Sequence, residues 1–204
     1  SRTASYARQL ADRMRGLSDK FDNIDNVVAV SHTEGGDPSH PNNFDLLMRT
    51  LAGLIVHPNV GAVLAVDYGT EPITNQMLQK YLVSENYPLQ DVLHEYLTIE
   101  GSFQKNLDQG EAVIRAWLPQ VNAISRTRES GENLKIALQC GGSDAFSGIS
   151  GNPLLSWVAR EIIRYGGSAL LAETPELIGA ESYVLKNVKD LETAQRFLEM
   201  LEKY

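Results

Sequence analysis

A mostly apolar run, Leu134 to Leu138, leads directly into the stretch Gln139-Cys140-Gly141-Gly142-Ser143-Asp144-Ala145-Phe146-Ser147-Gly148-Ile149-Ser150-Gly151-Asn152-Pro153. Beyond it, Leu154, Leu155, Val158, Ile162 and Tyr165 recur at helical spacing. A short run without polar alternation is what a strand covered on both faces requires. Asn152 is placed to cap the helix, and Pro153 suits its first turn. The order is therefore strand, glycine-rich loop, helix. Paired glycines allow a tight turn and let a ligand approach the main chain. The loop also carries the only cysteine of the chain, one carboxylate and three serine hydroxyls.

The same order recurs along the chain. Tyr6, Leu10, Met14 and Leu17 predict an amphipathic helix over 5–17, closing near Gly16. Asn26 to Val30 reads as a buried strand running into the polar loop from Ser31 to Pro38. A second helix starts near Asn43 and stops at His57-Pro58, because a proline disfavours helix in the residue before it. Gly61 to Val66 is a second strand, opening into the segment from Asp67 to Pro72. A helix over 74–85 follows, then a short strand from Tyr96 to Ile99. Asp108 and Glu111 have capping-box spacing ahead of a long helix that Pro119 should kink or split. After Gly166-Gly167, Ser168 to Ala172 is a further strand, and an amphipathic helix runs from Asp190 to the terminus. This alternation predicts a single α/β domain over 1–204, with a mostly parallel sheet of about five strands and helices on both faces, a Rossmann- or flavodoxin-like three-layer build.

In such sheets ligands bind outside the carboxyl ends of the strands. The loops expected there run from His32 to Asp37, Asp67 to Glu71, Glu100 to Lys105, Cys140 to Gly148 and Glu173 to Glu176. Those at 31–37, 67–72, 140–148 and 173–176 are expected at one edge of the sheet. They hold Glu34, Asp37, Asp67, Glu71, Asp144, Glu173 and Glu176, while Lys105 is the only Lys or Arg in the five. Carboxylates gathered without basic partners repel one another unless a cation compensates, although solvated loop acids are also common. Cys140 reads either as a small apolar residue or as a thiolate ligand. His32 reads as a general base, a metal ligand or a hydrogen-bonded loop histidine. Main-chain amides at Gly141, Gly142 and Ser143 form a candidate anion-binding pocket.

The formal net charge is -8, with the 18 basic residues scattered, which argues against a nucleic-acid partner. One cysteine excludes an internal disulfide framework. The sequence holds no signal-peptide pattern and no run of membrane-span length, so the expectation is a cytoplasmic protein with no membrane partner.

The loop resembles that of the altronate/galactarate dehydratase family. Arg49-Thr50-Leu51-Ala52-Gly53, His57-Pro58-Asn59-Val60, Glu173-Thr174-Pro175-Glu176 and Gly179-Ala180-Glu181 resemble the same family, in its order. The resemblance implies an iron-dependent hydro-lyase that removes water from an aldonate or aldarate to give a 2-keto-3-deoxy acid. Fe²⁺, with Mn²⁺ as substitute, is the implied cofactor; Asp144 and Glu71 are the candidate ligands, with Cys140 third. His32 or Glu173 would transfer protons. The family pattern places further cysteines where this chain has Gly36 and Thr70, so a three-thiolate site is excluded. Family members are longer, which implies that this chain is the core of a multi-domain enzyme and is inactive alone. The implied partners are a small anionic sugar acid and the parent's other domains or a small β-rich subunit; a homo-oligomer is compatible. Two alternatives remain open: a sulfo-lyase acting on sulfolactate, and a non-catalytic ligand-binding or assembly domain.

Overall fold

A computed structural model describes residues 3–32, 43–142 and 144–203. The chain falls into two compact units, 1–126 and 127–204.

The first unit is built on a β-α-β motif. Strands β1 (Ala62–Asp67) and β2 (Leu93–Thr98) pair in parallel, Ala62 beside Leu93 through Asp67 beside Thr98. Helix α3 (Asn75–Ser84) connects them, as a parallel pair requires a crossover. The alternation of strand side chains divides β1 between two cores. Leu64 and Val66 pack with Tyr6, Leu10, Leu97, Ile99 and Leu107, contributed in part by α1 (Ala4–Arg13) and α4 (Phe103–Asn122). Val63 and Ala65 pack with Met48, Ala52, Ile55, Leu78 and Leu82, from α2 (Phe44–Ile55) and α3. Helices thus cover both faces of the pair.

The second unit pairs β3 (Lys135–Leu138) with β4 (Ser168–Leu171), again in parallel. Helices α5 (Ala145–Ile149) and α6 (Gly151–Arg164) lie between these strands in sequence. Helices α7 (Glu181–Asn187) and α8 (Leu191–Leu201) follow them. Of its hydrophobic side chains Ala159 and Phe197 are buried, whereas Leu154, Trp157, Leu170 and Leu171 are exposed.

The α/β class holds, but one sheet of about five strands does not form among the described residues; there are two parallel pairs. Asn26–Val30, expected as the first strand, joins no ladder among the described residues. Four further differences concern single elements. The strand expected to begin at Tyr96 begins at Leu93, because a 3₁₀ turn over Leu89–Asp91 sets the chain into it early. Helix α4 begins at Phe103, capped by Ser102, whose hydroxyl accepts from the Lys105 N–H at 3.4 Å. Asp108 and Glu111 form no capping box: both accept from Arg13 Nη1, at 2.8 and 3.3 Å, and tie α4 to α1. Pro119 neither ends nor splits α4, which continues to Asn122, and the Ala123 N–H donates to Pro119 O at 3.2 Å.

Candidate functional site

Each unit carries polar residues beyond the carboxyl ends of its strand pair. In the first unit Asp67 ends β1 and is only 4% exposed. Its Oδ2 accepts from the Asn75 N–H at 2.6 Å, and its Oδ1 from the Thr98 hydroxyl at 2.7 Å. A carboxylate at the first N–H of α3 meets the positive end of the helix dipole. Thr74 completes the cap by accepting from the Met77 N–H at 3.3 Å. Asp67 therefore fixes both ends of the loop that holds Glu71. Within that loop Glu71 Oε2 accepts from the N–H groups of Tyr68 and Thr70, at 2.8 and 3.3 Å. Glu71 Oε1 is buried and has no hydrogen-bond partner. His32, Asp67, Thr70 and Glu71 all line one cavity of about 580 Å³, whose lining also includes the apolar Leu64 and Trp117. His32 and Glu71, far apart in sequence, are thus brought to one space.

In the second unit β3 runs out at Leu138 and β4 at Leu171, and the Ala172 N–H still donates to Leu138 O at 2.9 Å. Gln139 Nε2 donates to Glu173 Oε1 at 3.2 Å, which holds Glu173 beside the loop of Cys140. Glu173 has left-handed backbone, φ 61°, which a side chain other than glycine adopts only at a cost. Such strain recurs at functional sites. Cys140 is half-buried, and its thiol donates to Gly142 O at 3.5 Å. At Gly141 and Gly142 nothing described lies within 4 Å of where a Cβ would stand, and neither has positive φ. Neither packing nor backbone conformation therefore requires glycine there, and the main chain is open to approach. Ser143, the third expected contributor, lies outside the described residues, as do Glu34, Gly36 and Asp37.

Asp144 has a structural task. It caps α5, its Oδ1 accepting from the Phe146 and Ser147 N–H groups at 2.8 and 2.9 Å. The expected cap at Asn152 is not formed, because α6 already starts at Gly151. The Ser147 and Phe146 N–H donors hold the Asp144 carboxyl below its ordinary value of 3.8. A group depressed in the folded state stabilises it above the ordinary range and loses that contribution as pH falls through the lower, folded value. Asparagine keeps the Oδ1 acceptor but cannot titrate. Thermal melts should therefore show Asp144→Asn somewhat below the parent near neutral pH and level with it in acid, lacking this part of the acid dependence, with Asp144→Ala less stable than Asp144→Asn at both.

Among the described residues no group of three or more His, Cys, Asp or Glu side chains could hold a metal ion. Of the expected donors, Glu71 belongs to the first unit and Asp144 and Cys140 to the second. Asp144 Oδ1 is occupied by two N–H groups, the Cys140 thiol turns to Gly142 O, and Glu71 alone has a buried oxygen to offer. The residues described do not make a metal cage. Asp67 and Gln139, which position Glu71 and Glu173, were not singled out by the sequence; Asp67 stood there only as one rim acid among seven.

The model of the D-galactarate dehydratase/altronate hydrolase second domain matches residues 1–122, and that of the D-galactarate/altronate dehydratase C-terminal domain matches 131–204. The chain belongs to the D-galactarate/altronate dehydratase family, a family of carbon–oxygen lyases. It is 32% identical over 206 residues to altronate dehydratase of Escherichia coli (strain K12), covering 97% of this chain and 39% of that one. Altronate dehydratase of Bacillus subtilis (strain 168) is 31% identical over 187 residues, covering 89% and 35%. The (2R)-sulfolactate sulfo-lyase subunit beta of Chromohalobacter salexigens is 24% identical over 182 residues, covering 89% and 45%. The chain thus spans well under half the length of the relatives it matches. No helix among the described residues is long and apolar enough to cross a membrane.

Proposed function

We propose that this chain is the core part of a longer cytoplasmic enzyme that dehydrates an aldonate or aldarate, such as altronate or galactarate, to a 2-keto-3-deoxy acid. The observation that carries this reading is the polar end of the first unit's cavity, where His32 and Glu71 line one space and Glu71 Oε1 is buried without a partner. A group left unsatisfied at that cost calls for a ligand donor.

The reaction removes the proton α to the substrate carboxylate, forms an enediolate, and expels the β-hydroxyl with a proton as water. The resulting enol takes up a proton to become the 2-keto acid. His32 and Glu173 are the two candidates for proton transfer: imidazole titrates near neutral pH, and Glu173 is exposed at a strand end. Glu71 would accept a substrate hydroxyl. As a separate candidate within the second unit, the open main chain at Gly141 and Gly142 offers N–H groups to a carboxylate. A divalent cation, Fe²⁺ or Mn²⁺, belongs to the proposal as counter-charge to substrate; the described residues give it no three-donor cage, so no step is assigned to it.

The second reading is elimination of sulfite from sulfolactate, favoured by the match to the sulfo-lyase subunit. One panel separates the readings. Full-length parent enzyme is supplied anaerobically with Fe²⁺ and, in turn, altronate, galactarate and sulfolactate. The expected product is a 2-keto-3-deoxy acid from a sugar acid. Pyruvate with sulfite from sulfolactate alone would establish the second reading instead, and no product from any would leave a binding or assembly role. The 204-residue chain alone should give no turnover.

A further inference from the structure

Two carboxylates, Asp67 and Glu71, line the cavity of the first unit, and among the described residues no Lys or Arg lines it. Three of their four oxygens accept hydrogen bonds. Asp67 takes the Asn75 N–H and the Thr98 hydroxyl, and Glu71 Oε2 takes the Tyr68 and Thr70 N–H groups. Every one of these donors is uncharged. The pair is thus held by hydrogen bonds and not by a cation.

The remaining oxygen, Glu71 Oε1, is buried without a partner. A carboxylate oxygen accepts and does not donate, so whatever meets it must bring a donor. A hydroxyl does this without adding charge. An ionised carboxylate brings no donor. It also adds a further negative charge beside Glu71 and Asp67, where burial leaves the repulsion poorly screened. His32, the candidate base, takes up a proton only in its neutral form and so offers no fixed charge to offset it.

The two kinds of sugar acid differ in this respect. An aldonate has a carboxylate at one end of its chain and a primary hydroxyl at the other. An aldarate has a carboxylate at both. We infer that Glu71 makes this site selective for aldonates, receiving their hydroxyl-bearing end and rejecting the second carboxylate of an aldarate. The class of ligand rests on the proposed dehydratase reading. The selection itself rests on an unpaired acceptor and on like charge, devices that act against the wrong partner. Glu71→Gln should undo it. The Tyr68 and Thr70 N–H groups require an oxygen opposite them. The glutamine nitrogen then takes the place of Oε1, and an acceptor becomes a donor suited to a carboxylate.

Steady-state kinetics on the full-length parent test the selection. kcat/KM for altronate should exceed that for galactarate by at least about tenfold, and Glu71→Gln should lower this ratio at least about tenfold, with KM for galactarate falling. A ratio near one in the parent, or a ratio that Glu71→Gln leaves unchanged, overturns the inference while turnover upholds the dehydratase reading. Binding to the 204-residue chain is the second arm. Altronate should shift the amide resonances of Tyr68 and Thr70 at a concentration at least about tenfold below that needed with galactarate. That preference without turnover of either acid by the parent would remove the dehydratase reading and leave the selection standing. An equal response to the two acids, or none to either, overturns the selection.

Discussion

Glu173→Gln in the full-length parent is expected to lower turnover by about 10²- to 10⁴-fold, the usual contribution of a positioned acid or base. The unfolding midpoint should not move. Glu173 is exposed, and its side chain accepts one hydrogen bond, from Gln139 Nε2 at 3.2 Å. Glutamine keeps an oxygen in that position and loses only the ability to take a proton. A second substitution separates chemistry from folding. Glu173→Gly removes the side chain that makes φ 61° costly, so its midpoint should equal or exceed the parent's while turnover is lost. Full activity in Glu173→Gln would move proton transfer to His32.

Tyr6→Ala should destabilise the first unit by about 3–5 kcal/mol, the range for truncating a buried aromatic residue. Tyr6 is 0% exposed and meets Phe103 edge-on, with ring centroids 5.8 Å apart. Its hydroxyl donates to Asn106 O at 2.7 Å. The fit is close on the facing helix as well: a Cβ at Gly110 would lie 2.5 Å from the Tyr6 oxygen, so α4 carries glycine in its interior to admit α1. A domain of ordinary stability, about 5–15 kcal/mol, would lose a large share of it. Tyr6→Phe retains the ring and should cost about 1 kcal/mol for the lost hydrogen bond. It should also remove an alkaline transition. Burial raises the Tyr6 hydroxyl from 10.0 to about 12, partly opposed by Arg13. Stability from a raised group is complete below the ordinary value and is lost as pH rises toward the folded one. Denaturant melts across 10.0 to about 12 should therefore fall for the parent, with this component absent from Tyr6→Phe.

Elements set by short-range signals were legible in the sequence. The strand read at Gly61–Val66 is β1 displaced by one residue, and the helix read from Thr74 is capped by Thr74 as its hydroxyl allows. Features settled by distant partners were not. Asp108 and Glu111 have the spacing of a cap, but Arg13, about a hundred positions earlier, claims both carboxylates. Val27 to Val30 has the composition of a central strand, but composition cannot say whether a sheet edge will take it. Asp144 was legible as a loop acid beside glycines, not as the cap of α5, because a five-residue helix leaves little periodicity to read. Asp67 and Gln139 act through hydrogen bonds to residues eight or more positions away, a relation no local pattern contains.

Both strand pairs are closed within contiguous stretches, β1 with β2 and β3 with β4, and no ladder crosses from Arg126 to Thr127. The residues from Ile124 to Ser130 belong to no helix or strand. At the level of the gene, a crossover between two diverged copies at Arg126–Thr127 would leave each of these strand ladders whole. Inherited halves could therefore be exchanged, or the interval lengthened, with each ladder intact.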